Sequence, residues 1–199
     1  RWIVLGALGA GLAAAVMTVT SSNRMIRIEA WLRLNCDHDS HPCYQVDQGL
    51  NALAAGGWTG LGLGQSRVKW HYLPEAKSDF VFTILGEELG MLGALFTLVL
   101  FVVLLVGIYR TAVNANTHFA RVTLGIILMW FAGQIFINIA TVTGLLPVIG
   151  VPLPFISYGG SALMAILGAI GLALNFNRQQ YREQQALLLE LEEKETQHP

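Results

Sequence analysis

An all-α polytopic membrane protein is the fold class this sequence predicts: four transmembrane helices, a long extracytoplasmic loop and a re-entrant or interfacial Pro/Gly loop. Two observations carry that reading. The first is composition: 54% of the 199 residues are hydrophobic and 13% are charged, with a mean hydropathy of +0.53. An ordinary soluble domain has about 25% charged residues. The second is distribution. Charges are missing from four apolar runs and gather in the segments between them. The net charge of -1 gives no reason to expect a nucleic-acid partner. The chain opens on Arg1 and passes straight into an apolar run with no signal-peptide cleavage pattern. It is read as a fragment of a longer protein.

Taken in order, Trp2 to Val19 is uncharged. Eighteen helical residues cover about 27 Å, close to the hydrocarbon thickness, so residues 2–20 are expected to form the first span. Residues 21–78 form the polar extracytoplasmic loop. Within it, Met25–Leu34 reads as a short amphipathic piece and Tyr44–Ala55 as a short helix. Gly56–Gly64 reads as turns, because five glycines in nine residues do not make an ordinary helix. The second span is expected over 79–110. Its apolar part, Met91–Ile108, is again about 27 Å long. The helical pattern begins near Ser78, so a straight helix would overshoot the bilayer core and place Asp79 roughly 18 Å from Met91. Gly86, Gly90 and Gly93 are the positions where it would bend. The third span is expected over 120–143 and the fourth over 158–176. Between them, residues 144–160 (GLLPVIGVPLPFISYGG) are apolar but carry three prolines. Irregular backbone at membrane depth is tolerated only against protein or water. Residues 177–199 form a polar, acidic cytoplasmic tail, with a solvated helix around 187–191.

Cations divide equally between the two sides, so orientation rests on the short link carrying Arg110 and Arg121. The positive-inside rule weights short links, and this one holds no acid. It is placed in the cytoplasm, and the loop with Asp79 outside. Both cysteines then lie where oxidation is permitted. Cys36 and Cys43 enclose six residues, among them two Asp and two His. A disulfide is the expected arrangement, and zinc ligation the alternative.

Asp79 lies at the mouth of a long apolar helix. As a helix-terminal carboxylate, with Ser78 as N-cap, it would do no more than complement the helix dipole. Arg67, Lys69 and Lys77 stand near it in sequence, either as a scattered basic surface or as cations placed where negative charge develops on a leaving group. Glu75 follows a proline and fits a first-turn cap. Glu87 and Glu88 lie near the outer membrane boundary, where an acid is either buried in the bundle or paired with interfacial water. Gln134 and Asn138 are amides inside an apolar span and share one helix face. Such amides commonly serve as interhelical hydrogen-bond glue. No Walker, nucleophile-elbow, HExxH or Rossmann pattern occurs.

Two strings resemble the FtsW/RodA/SpoVE (SEDS) family of membrane glycosyltransferases: LPEAKSDFVFTILGEELG, residues 73–90, and LPFISYGGS, residues 153–161. The likeness covers about residues 44–176. GEELG favours the division-type branch, FtsW, over the elongation-type RodA. The resemblance implies a ten-helix fold of which this chain is the C-terminal part, expected to be inactive alone. It implies a peptidoglycan glycosyltransferase that polymerises lipid II into glycan strands during cell division. Asp79 would be the general base, and Glu75, Lys77, Arg67, Lys69, Asn138 and Ser157 would bind substrate, the last two from the wall of a central cavity. The family commonly has His-Thr before this aspartate, where this chain has Lys77-Ser78. No resident cofactor is fixed. A divalent cation, Mg or Mn, is the candidate for sharing the pyrophosphate charge with the basic residues. The implied partners are lipid II, a class B penicillin-binding protein (a transpeptidase) and other divisome membrane proteins, at the septum of the bacterial inner membrane. The rival readings are a lipid II flippase and a non-catalytic division scaffold.

Two measurements check the outer loop and the topology. Cys36 and Cys43 should resist thiol labelling until a reductant is added, and ready labelling of both beforehand would remove the disulfide. A reporter fused near Asn116 should behave as internal, and a periplasmic signal there would invert the assigned orientation.

Overall fold

The computed structural model describes residues 22–34, 41–66 and 79–197. These form α1 (Ser22–Trp31), α2 (His41–Gly56), α3 (Val81–Val113), α4 (His118–Val142) and α5 (Gly160–Gln197). Among the described residues there is no strand. The all-helical, polytopic arrangement is borne out. Helices α3, α4 and the Gly160–Glu190 part of α5 are each long and apolar enough to cross a membrane. The expected first span, residues 2–20, lies outside the described residues.

α1 and α2 form a cap on one end of the bundle, the outer end in the orientation expected from Arg110 and Arg121. α1 closes in a Schellman turn: Leu34 N–H bonds Glu29 O at 3.0 Å and Arg33 N–H bonds Ala30 O at 3.2 Å. Arg33 takes the left-handed position, φ 56°, that glycine usually fills. α2 begins at His41, three residues before the predicted start, and lies against the outer part of α3. Its Gly49 sits over the ring of Phe80, and a Cβ on Gly56 would lie 2.0 Å from Gly86 O. The two backbones therefore meet without side chains between them.

α3 is not a straight rod, and the departure falls at one of the three glycines singled out for a bend. It begins at Val81, with Phe80 as N-cap and no side-chain cap bond, and it breaks at Gly90 (φ 70°, ψ -167°). Asp79 therefore precedes the helix rather than standing in its first turn. Ser78, the expected cap, lies outside the described residues. In an unbroken helix, Met91 N–H would bond Glu87 O and Leu92 N–H would bond Glu88 O. Here the glycine-rich turn is inserted into both bonds. Leu61 N–H and Gly62 N–H take the carbonyls of Glu87 and Glu88 at 3.0 Å each, and Met91 N–H and Leu92 N–H bond Gly57 O and Trp58 O at 2.9 and 3.3 Å. An unpaired backbone group in an apolar medium costs several kcal/mol, so four left open would cost on the order of 10 kcal/mol. The break is stable because the turn completes it.

α3 and α4 are joined by the short link 114–117, as antiparallel neighbours in a bundle are. Thr117 caps α4 by accepting from Ala120 N–H at 3.3 Å. Two buried clusters run along the bundle. The outer one gathers Phe80, Phe82, Phe101, Ile135, Val148 and Leu153. The inner one gathers Ile108, Leu124, Ile127, Phe131 and Ile166. Residues 143–159 are irregular, as their prolines require. α5 does not stop near residue 176 but continues as one helix through Gln197. Past the expected end, Gln180 donates to Thr111 O at 3.2 Å and Asn116 donates to Glu183. The segment is also rich in Gln, Leu and Glu, which are strong helix formers.

The spliced break predicts a difference between two glycines with nearly equal φ. Gly60 (φ 79°) leaves 2.1 Å between its would-be Cβ and Glu88 O, whereas Gly64 (φ 78°) has open space. In the full-length protein, Gly64→Ala should cost about 1 kcal/mol of strain, and Gly60→Ala at least twice that. Thermal unfolding in detergent reads the difference, and equal losses would refute the splice.

Candidate functional site

The site is built where three segments meet: the chain entering α3, the outer end of α4 and the loop after α4. Phe80 is 1% exposed and packs into the outer cluster. That burial fixes the chain one residue after Asp79 and leaves the Asp79 side chain half-buried. The Asp79 carbonyl accepts from Asn138 Nδ2 at 3.0 Å, and the same nitrogen donates to Val151 O at 2.7 Å. Asn138 is 2% exposed. The loop comes close enough that a Cβ on Gly150 (φ 82°) would lie 3.1 Å from Asp79 Oδ2. The carboxylate thus stands against the main chain of the loop at a position whose φ favours glycine and where a Cβ would crowd Oδ2.

That loop is held along most of its length. Trp31 Nε1 donates to Gly144 O at 2.9 Å, Arg27 to Val148 O at 3.1 Å and Thr141 Oγ1 to Pro147 O at 3.4 Å. Leu146 N–H bonds Ala140 O at 3.0 Å. Further on, Leu153 N–H donates to Ser157 Oγ at 2.7 Å and Ser157 N–H returns to Leu153 O at 3.1 Å. Phe155, at φ 65°, packs edge-on to Phe131, with centroids 6.2 Å apart. Side chains from α1 and α4 thereby satisfy carbonyls that a proline-broken segment cannot pair within itself.

Of the residues singled out from sequence, the structure brings Asp79 and Asn138 together. Ser157 sits within the same loop and is engaged with Leu153. Arg67, Lys69, Glu75 and Lys77 lie outside the described residues. Glu87 is buried, 1% exposed, and accepts from Ser66 Oγ at 2.6 Å. This is the buried alternative for that pair of acids. Glu88 is half-buried, and its Oε1 has no hydrogen-bond partner, like Gln134 Oε1 on α4. Cys43 is buried and disulfide-bonded; the chain's other cysteine, Cys36, lies outside the described residues. Sequence reasoning missed Gly150, Arg27 and Trp31. Gly150 lies in a string already singled out, but only its positive φ and the neighbouring carboxylate give it a role. Arg27 and Trp31 gave no signal beyond membership of an amphipathic helix.

Chemically, the arrangement offers a carboxylate with a fixed backbone at the outer end of a membrane bundle, able to accept a proton or a hydrogen bond. Among the described residues there is no group of three or more His, Cys, Asp or Glu that would hold a metal ion.

Comparison with known proteins follows the same outline. The family profile described as cell cycle protein, FtsW/RodA/SpoVE, matches residues 1–182. Stage V sporulation protein E of Bacillus subtilis is 51% identical over 136 residues, which is 68% of this chain and 37% of that protein. A probable peptidoglycan glycosyltransferase FtsW of Trichlorobacter lovleyi is 40% identical over 175 residues, covering 85% of this chain and 45% of that one. The chain therefore spans less than half the length of these curated relatives. Among solved structures, a chain from work on structural coordination of polymerization and crosslinking by a peptidoglycan synthase complex superposes with a TM-score of 0.63 at 25% identity. It covers 90% of this chain and 49% of that one. With a profile that spans most of its length and three helices fit to cross a membrane, the chain belongs to the FtsW/RodA/SpoVE family of multi-pass membrane proteins.

Proposed function

We propose that the protein of which this chain is part is a peptidoglycan glycosyltransferase that polymerises lipid II, with Asp79 as general base. The observation that supports it is the Asp79 carboxylate, half-buried at the outer end of the bundle against the pinned loop 144–151, with its backbone tied to Asn138. Relatives named probable peptidoglycan glycosyltransferase FtsW support the reaction class.

In the proposed reaction the sugar 4-hydroxyl of one lipid-linked disaccharide attacks the anomeric carbon of another. The new C–O bond forms as the bond from that carbon to the phosphate oxygen breaks. The electron pair leaves with undecaprenyl pyrophosphate, and the hydroxyl proton passes to the Asp79 carboxylate. Arg67, Lys69, Lys77 and Glu75 are proposed to bind the substrate head, the cations opposite the pyrophosphate. One carboxylate acting as base fits a single inverting displacement. The division branch, the septum and pairing with a class B penicillin-binding protein belong to the same proposal. The synthase-complex relative, whose description joins polymerization to crosslinking, supports the pairing.

Asp79→Asn keeps the side-chain shape and removes the base. In the full-length protein bound to its partner, it should leave lipid II binding and thermal stability nearly unchanged. It should lower glycan-strand synthesis by at least about 10²-fold. A helix-terminal charge alone would change stability by about 0.3–1 kcal/mol and leave synthesis intact. Near-normal synthesis by this variant would favour the flippase reading.

A further inference from the structure

We propose that Asn138 is a positioning residue that sets where the Asp79 carboxylate stands, and that Gly150 keeps the space this carboxylate occupies. The inference rests on the reading of Asp79 as the base.

The geometry behind it is specific to an amide. One nitrogen, Asn138 Nδ2, spends both hydrogens on carbonyls that are far apart in sequence, Asp79 O and Val151 O. Its Oδ1 is buried without a partner. The reversed amide would set a carbonyl oxygen against two others and leave both without a donor. The orientation is thus fixed by what surrounds it, even at the cost of one unsatisfied acceptor. Being 2% exposed with its donors used, Asn138 is not arranged to meet a substrate.

An aspartate has two side-chain torsions. Once its backbone is tied to α4 and buried Phe80 holds the next residue, the carboxylate has few places to go. Gly150 borders the place it takes. That position needs glycine for its φ of 82°, and a Cβ there would press on Oδ2. The Val151 bond holds the same stretch of loop at the other side of the amide. Asn138 thereby sets the spacing between carboxylate and loop from both directions. Misplacing a catalytic group by about 1 Å is enough to cost about 10²-fold in rate.

The test is a double-mutant cycle in full-length, partner-bound protein, with lipid II as substrate and glycan strands as product. Asn138→Ala should lower kcat at least about tenfold and leave KM within about threefold. In an Asp79→Asn background, the same change should lower the residual rate less than about threefold, because a positioning residue has nothing left to position. Gly150→Ala, which leaves Asn138 untouched, should give the same loss of kcat with KM held. It carries the test if Asn138→Ala does not accumulate. A raised KM with kcat unchanged would make Asn138 a substrate contact and overturn the proposal. Losses that multiply in the Asp79→Asn background would also overturn it, as would a fall in thermal stability with kcat intact. If Asp79→Asn alone keeps its activity, the base reading fails instead, whatever Asn138 does.

Discussion

Two helical hydrogen bonds opened at Gly90, and refilled by the turn at residues 57–62, are the constraint on which the outer half of this bundle depends. Apolar burial cannot supply that order by itself. Inside a bilayer the surrounding lipid is as apolar as the core, so association rests on close packing and on pairing every polar group. The glycine-rich turn provides both. It donates to the two stranded carbonyls and accepts from the two stranded amides. It does so only because Gly56, Gly60 and Gly90 let main chains approach to distances no Cβ allows. α2 and the outer part of α3 are therefore one welded unit, and Asp79 is carried at its edge.

The same rule explains the loop after α4. Three prolines remove donors and prevent a helix, so the carbonyls of Gly144, Pro147, Val148 and Val151 must find partners elsewhere. They find them on Trp31, Thr141, Arg27 and Asn138. Two of those donors come from α1, which sequence alone presented as a short amphipathic piece. The cap is thus part of the machinery that fixes the wall of the site.

How far the sequence reveals this differs by element. The apolar runs that became α3 and α4 stand out because bilayer thickness dictates run length. Residues 144–160 are legible as irregular for the same local reason, their prolines. Gly90 is visible only as one of three glycines at which α3 would bend, since the break depends on a turn some thirty residues earlier. Asn138 is legible as an amide inside an apolar span. Its partners, 59 and 13 residues away, are set by the tertiary fold and not by helical spacing. The length of α5 was hidden because polar composition reads as a solvated tail, whereas contacts at Gln180 and Glu183 and strong local propensity continue the helix. Asp79 itself drew attention through its motif. Nothing in spacing distinguishes a base from a helix-end carboxylate.

The four bonds at the Gly90 break involve only main-chain atoms. At Trp58 and Leu61, side-chain identity is accordingly released from the work of making them. Trp58 lends its carbonyl and Leu61 its amide, while Trp58 is 73% and Leu61 45% exposed, and neighbouring Leu63 is 77% exposed. An exposed indole at the rim of a bundle has the character of a membrane-interface anchor, and the two isobutyl groups beside it add apolar surface. These side chains can change without touching the main-chain seam beneath. The glycines keep the architecture, and the residues between them are left to negotiate with the lipid.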